Sequence, residues 1–315
     1  MEFKISDIDG IRVKTTSLVP ASPLAVLQVV HGMMEHSERY LEFAKWLASQ
    51  GIAVYLSDHF GHGKNLEYTP GQAVKGSQIH GHLADKDGWK KSIAVLYDLN
   101  QIIQKNHPGL PVIMFGHSMG SVMVQTYMQH FGKEVNGFIL SGTMSQHRIM
   151  INAGVMLADI LRSFYGPHHR SGLLTKLGYG SYSKYFKPKR TDFDWLCSDQ
   201  AVVDAYVNDP FCGFPCTTAF YSDFFRGIRE NITQPEVKIG GNSSILIIGG
   251  EKDPAGHFGK DPKRFARMYR KAGFSQVELK LWPEGRHEML NEVNKEEVWE
   301  VIRSWTIGQL AVGQG

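Results

Sequence analysis

The chain has 315 residues, 42% hydrophobic and 21% charged, with a net charge of +3. That balance fits a globular protein able to bury a sizeable core and excludes a disordered, fibrous or nucleic-acid-dominated chain. Length alone leaves open one large domain with an insertion or two modest domains.

The first residues suggest a hairpin: Phe3 to Ile5, a turn at Asp9 and Gly10, then Ile11 to Val19. Leu24 to Val30 is an apolar, β-branched run suited to a buried parallel strand. Tyr40, Phe43, Ala44 and Leu47 recur at helical spacing up to Gly51, and Ile52 to Asp58 forms another buried strand. Trp89, Ile93, Leu96, Leu99 and Ile103 mark a long amphipathic helix ending before Pro108. A strand from Pro111 runs into a turn at Ser118, followed by a helix over Ser121 to Phe131 and a strand over Val135 to Gly142. This alternation predicts an α/β fold, a mostly parallel, doubly wound sheet covered on both faces.

From Met144 the rhythm breaks. Met150, Met156, Leu157, Ile160, Leu161 and Phe164 lie at helical spacing, and aromatics crowd Phe211 to Phe225. Alternation resumes with strands at Ser244 to Asp253 and Val277 to Gly285, then a last helix carrying Val298, Ile302 and Trp305. The predicted organisation is a core over 1–143 and 236–315, interrupted by a helical cap insertion over 144–235.

Several further expectations follow from composition. The basic run Lys184, Lys187, Lys189 and Arg190 fits a solvated face. The start lacks a secretory signal, and no apolar run approaches the roughly 18 residues that span a bilayer. The expected location is therefore cytoplasmic, with the sequons at Asn231 and Asn242 unmodified. The three cysteines, Cys197, Cys212 and Cys216, suit free thiols in a reducing compartment. Grouping Cys212 and Cys216 with His168 and His169 as a metal site is set aside because the other features of a zinc site are missing.

The sharpest chemical signal is Gly116-His117-Ser118-Met119-Gly120, between a strand and a helix. This is the setting of a nucleophile elbow, where close backbone approach demands small neighbours and the serine sits on a strained turn. A serine hydroxyl needs a base, and among 14 histidines His287 is best placed, just beyond the strand Val277 to Leu281. The imidazole needs a carboxylate to hold its tautomer. Asp253 ends a strand at the right edge, with Glu251 and Asp261 as rivals. The backbone N–H groups of Met119 and Met33 would hold an oxyanion, while His31 and Gly32 shape the turn.

Three stretches carry a resemblance. His31-Gly32-Met33-Met34-Glu35-His36-Ser37-Glu38-Arg39-Tyr40, Asp58-His59-Phe60-Gly61-His62-Gly63 and Gly116 to Gly120 resemble segments of monoacylglycerol lipases and bacterial lysophospholipases. The likeness covers about 24–142 and 243–308, and the insertion matches no usable pattern. It implies the α/β-hydrolase fold and maps the triad onto Ser118, Asp253 and His287, with oxyanion donors Met33 and Met119. Glu35, His36 and Arg39 would brace the oxyanion loop, Asp58 and His62 would fix the loop after their strand, and His117 would pack beside the elbow. The implied activity is ester hydrolysis through an acyl-enzyme, without metal or organic cofactor. Its substrate would be a monoacylglycerol, lysophospholipid or similar small acyl ester. The expected partners are that small ester and, transiently, a lipid surface, but no nucleic acid. The alternatives are an amidase, thioesterase or peptidase of the same fold, or a ligand-binding protein without turnover.

Overall fold

The computed structural model describes residues 2–8, 11–67, 79–233 and 243–312. Eight strands form one sheet: β1 (Glu2–Ile8), β2 (Ile11–Leu18), β3 (Ala25–Val30), β4 (Ile52–Ser57), β5 (Val112–His117), β6 (Gly137–Ser141), β7 (Ser244–Gly250) and β8 (Val277–Trp282). Their spatial order is β1-β2-β4-β3-β5-β6-β7-β8. β1 and β2 pair antiparallel, β2 meets β4 antiparallel, and every later pairing is parallel. The hairpin turn at Asp9 and Gly10 lies outside the described residues.

The strands β3 to β7 are buried along their whole length because each is covered on both faces, which is why they read as unbroken apolar runs. Burial on β8 alternates instead, as expected of an edge strand with one wet face. One layer holds α1 (Leu41–Ser49) and α9 (Lys295–Val312). Their Phe43, Leu47, Trp299 and Ile302 pack with Leu27, Phe115 and Ile248 of the sheet. The opposite layer holds α2 (Gly88–Asn106), α3 (Met119–Phe131) and, further along the chain, α8 (Lys260–Lys271). Here Leu96, Val122, Tyr127 and Phe265 pack with Met114 and Phe138.

Between β6 and β7 the chain leaves the sheet and forms α4 (Arg148–Tyr165), α5 (Gly172–Gly178), α6 (Gln200–Asn208) and α7 (Thr218–Thr233). α4 packs along α7, and α7 rests on α2 and α3. α4 keeps only Ile151, Val155 and Ala158 buried, while Ile149, Met150, Met156, Ile160 and Phe164 remain exposed. The predicted boundary at 235/236 lies outside the described residues. Among the described residues no helix is long and apolar enough to cross a membrane. Lys184, Lys187, Lys189 and Arg190 are exposed, matching the solvated face expected of them. Asn231 is buried, with its amide donating to the Val122 carbonyl at 2.9 Å; Asn242 lies outside the described residues.

Candidate active site

Four parallel strands deliver the site at their carboxyl ends, where loops leave the sheet on one rim. β5 delivers Ser118, β3 the turn His31 to Glu35, β7 the loop with Asp253, and β8 the loop with His287.

The elbow is held by crowding. A Cβ on Gly116 would lie 2.5 Å from the Gly120 carbonyl oxygen, and one on Gly120 would collide with the carbonyl of Val30. α3 therefore approaches β3 as closely as backbone allows, and it starts at Met119, two residues earlier than the sequence suggests. Ser118 bridges strand and helix at φ 53° and ψ −119°, a conformation costly for a residue with a side chain. Its N–H donates to the Ser141 carbonyl of β6 at 2.9 Å, which locks the turn to the sheet.

His287 Nδ1 lies 2.9 Å from Asp253 Oδ2, with both side chains buried. The carboxylate's other oxygen accepts from the Ala255 N–H at 2.8 Å, fixing its orientation. The rival carboxylates are occupied elsewhere: Glu251 pairs with Lys263 at the surface, and Asp261 takes the Ser145 N–H and His257 Nδ1. With Nδ1 turned to Asp253, Nε2 is the ring nitrogen left facing away from that carboxylate. That atom is buried without a hydrogen-bond partner, and His287 and Ser118 line the same cavity.

Electrostatics separate this imidazole from its neighbours. Burial opposes charge on His287, yet the Asp253 charge and hydrogen bond raise its pKa overall above the ordinary value. His117, whose ring lies 4.8 Å from that of His287, is pushed down to about 4 by burial first and by His287 second. Burial lowers His59 to about 4 and His62 to about 3, and it takes His31 well below its usual range. Those rings are neutral struts. His31 Nε2 accepts from the His59 N–H at 3.0 Å, and His62 Nε2 accepts from the Met34 N–H at 3.4 Å. Asp58 takes the N–H groups of Ser37 and Lys64 at 2.7 and 2.9 Å, tying the two loops together.

The turn after β3 lies against the elbow: a Cβ on Gly32 would sit 3.3 Å from that of Ser118. Its Gly32 N–H donates to Glu35 Oε1 at 2.5 Å, and Tyr40 donates to the same oxygen at 2.8 Å. Arg39 then grips Glu35 at 2.6 Å and Glu288 through two bonds of 2.7 and 2.6 Å. Burial favours a neutral Glu288, but Arg39 overrides it and holds the carboxyl down at about 2. The Arg39–Glu288 pair joins residues 249 apart, a link invisible to local patterning. Met33 and Met119 both sit at this junction, Met33 lining the cavity and Met119 opening α3.

The excursion closes the site from above. The Trp195 ring packs at 4.8 Å from that of His287, tilted by 48°, and its carbonyl takes the His287 N–H at 3.4 Å. Tyr206 and Gly213 both donate to the Met34 carbonyl, at 2.9 and 3.0 Å. His36 reaches across to Asp209 at 2.9 Å, so it ties the loop after β3 to the excursion. Sequence reasoning missed Trp195 and Tyr206, because nothing local marks a residue as facing a loop so distant in the chain. The cavity beneath the excursion, open on one side, measures about 360 Å³ and is lined largely by apolar groups, among them Met150, Leu157, Leu174, Tyr179 and Phe225. The cysteines are free and buried, and they do not gather with His168 and His169. Instead Cys212 lies by His36 and Asp209, while His168 joins His82 and Asp85.

A family model described as Serine aminopeptidase, S33, matches residues 21–294. The chain belongs to the S33 family. This S33 hydrolase is 32% identical over 297 residues to a monoglyceride lipase of Rattus norvegicus, with 92% of this chain and 85% of the relative covered. It is 26% identical over 311 residues to a monoacylglycerol lipase of Mycolicibacterium smegmatis, with 98% of each chain covered. A thermostable carboxyl esterase of Bacillus coagulans, solved in complex with glycerol, superposes with a TM-score of 0.88 at 27% identity over 98% of each chain. The S33 chain is thus an α/β-hydrolase-fold serine hydrolase that resembles monoacylglycerol lipases, in line with the expectation from its motifs.

Proposed function

We propose that the protein hydrolyses monoacylglycerols or similar small acyl esters through an acyl-enzyme formed on Ser118. The observation that carries this reading is one apolar cavity with Ser118 and His287 in its wall and the His287–Asp253 pair behind it. The serine Oγ attacks the ester carbonyl carbon while His287 Nε2 takes its proton. The imidazolium, held by Asp253, then protonates the leaving alcohol, and water repeats the sequence to release the acid. The N–H groups of Met33 and Met119 hold the oxyanion. The named relatives, monoglyceride lipases and a carboxyl esterase, support the ester class.

The family's description raises the peptidase alternative. An aminopeptidase needs a free carboxylate for the substrate's terminal amine. The two acids lining the cavity, Glu35 and Glu288, are both spent on Arg39. The cavity therefore favours an uncharged, acyl-bearing substrate.

In the same reading, residues 144–235 act as a cap over a core formed by 1–143 and 236–315. Its exposed Met156, Ile160 and Phe164 would meet a lipid surface transiently, and the unpaired thiols suit the cytoplasm. The test is labelling with a fluorophosphonate probe, then hydrolysis of monoacylglycerols of graded chain length beside aminoacyl amides. The expected result is labelling in the wild type but not in Ser118→Ala, with ester turnover peaking at one chain length. Equal labelling of both, or cleavage of amides alone, removes the proposal.

A further inference from the structure

Three chain stretches cross on a flank whose residues take no part in the cavity above Ser118: 81–85 ahead of α2, 166–170 after α4, and 217–218 at the start of α7. Backbone bonds make the crossing firm. Thr217 N–H donates to the Gly81 carbonyl at 2.9 Å, Thr218 N–H to that of His169 at 2.8 Å, and Arg170 and Thr217 form an antiparallel bridge. At this junction His82, Asp85 and His168 converge. His82 Nε2 lies 3.2 Å and His168 Nε2 2.5 Å from the same oxygen, Asp85 Oδ1, and the three ligand-capable atoms all lie within 4.8 Å of one another.

We propose that His82, Asp85 and His168 bind a transition-metal cation of the Zn²⁺ class, which pins the excursion to the core. Two imidazole nitrogens and one carboxylate oxygen are a donor set that suits Zn²⁺, Co²⁺ or Ni²⁺ and leaves a position for water. His82 is already oriented for the task. Its Nδ1 lies 3.0 Å from Thr217 Oγ1, so that nitrogen can carry the ring proton and leave the Nε2 lone pair for a metal. The rings of His82 and His168 stand nearly perpendicular, at 89° with centroids 4.6 Å apart, so their nitrogens approach one point from different directions. Donors around a tetrahedral zinc sit about 3.4 Å apart, so His168 must retreat from Asp85 by less than about an ångström. That movement is open to it: its side chain is 43% exposed and that of Asp85 40%, whereas His82 is fully buried and supplies the fixed anchor. Without metal, each Nε2–H donates to Asp85; on binding a cation each ring switches tautomer, its single proton moving to Nδ1, which on His82 faces Thr217 Oγ1 and on the half-exposed His168 faces solvent. Arg162 donates to the Asp85 carbonyl, which steadies the loop, and its charge limits the affinity.

The test uses the full chain, free of any affinity tag, stripped with chelator and titrated calorimetrically with Zn²⁺, with Co²⁺ absorption as a second readout. The expected result is one Zn²⁺ per chain at micromolar affinity and a melting temperature that rises with Zn²⁺. His168→Ala and Asp85→Asn should each weaken binding about 10-fold or more and abolish the Zn²⁺-dependent rise. Cys212→Ser should bind like the wild type, because the other convergent group, His36, Asp209 and Cys212, is not the site. Failure of the wild type to bind at millimolar Zn²⁺ overturns the proposal. So does unchanged binding in both His168→Ala and Asp85→Asn, or binding that depends on Cys212.

Discussion

The sheet rim and helix α4 handle polarity in opposite ways. At the rim nearly every polar group is buried and assigned a partner: Glu35, Arg39 and Glu288 neutralise one another, and Asp58 and the neutral histidines hold backbone N–H groups. On α4 the problem is reversed, since Phe164 is 81% and Met156 62% exposed, with apolar surface left uncovered among the described residues. The rim holds its groups in fixed geometry, and the exposed face of α4 is the one proposed above to meet a lipid surface. Catalytic groups need the first property, because misplacement by about an ångström costs orders of magnitude in rate, and lipid capture needs the second.

The comparison breaks if substitutions at the rim are mild or those on α4 severe. The largest effect should come from the triad. Ser118→Ala and His287→Ala should each lower kcat by about 10³-fold or more, and Asp253→Asn by about 10⁴-fold through loss of the correct tautomer. Steady-state kinetics check this; near-normal turnover in His287→Ala would hand the role of base to another group. Next comes Arg39→Ala, which strands two buried carboxylates and should destabilise the fold by about 3–5 kcal/mol in urea denaturation. A loss below about 1 kcal/mol would mean that water reaches the pair.

The pH profile sharpens the contrast among the histidines. A base must be neutral to accept a proton, so activity falls as pH drops through its pKa. Because Asp253 raises the His287 pKa, the acid limb of kcat/KM should lie above the ordinary histidine value of about 6.5. The residual activity of Asp253→Asn should show that limb moved to lower pH. A wild-type limb near 4 would instead point to a ring such as His117. The smallest effect is expected on α4. Phe164→Ser combined with Met156→Ser should leave turnover of a soluble short-chain ester within about twofold while weakening adsorption to phospholipid vesicles. Unchanged adsorption would take α4 out of the lipid contact.

The same contrast explains what was legible in the sequence. Buried parallel strands write themselves as apolar runs, so β3 to β7 could be placed within two or three residues at either end. The elbow is legible because only glycine fits at Gly116 and Gly120. Spacing left Asp253 beside its rivals Glu251 and Asp261 and the family resemblance preferred it; in the structure Asp253 meets His287, while Glu251 pairs with Lys263 and Asp261 takes the Ser145 N–H. The Arg39–Glu288 link and the packing of Trp195 against His287 depend on segments distant in the chain, and periodicity carries no such information. For α4 the helical period was plain, but spacing cannot say which half of an apolar helix finds a neighbour.

The Met34 carbonyl receives both Tyr206 and Gly213 while its own N–H is held by His62. The excursion is bolted to the residue beside Met33 at that corner. A swing wide enough to break those bonds would deform the loop whose Met33 N–H is proposed to hold the oxyanion. Entry of a bulky guest is compatible with an intact loop only if this corner stays put as a fulcrum and the opposite end, around α4, does the travelling.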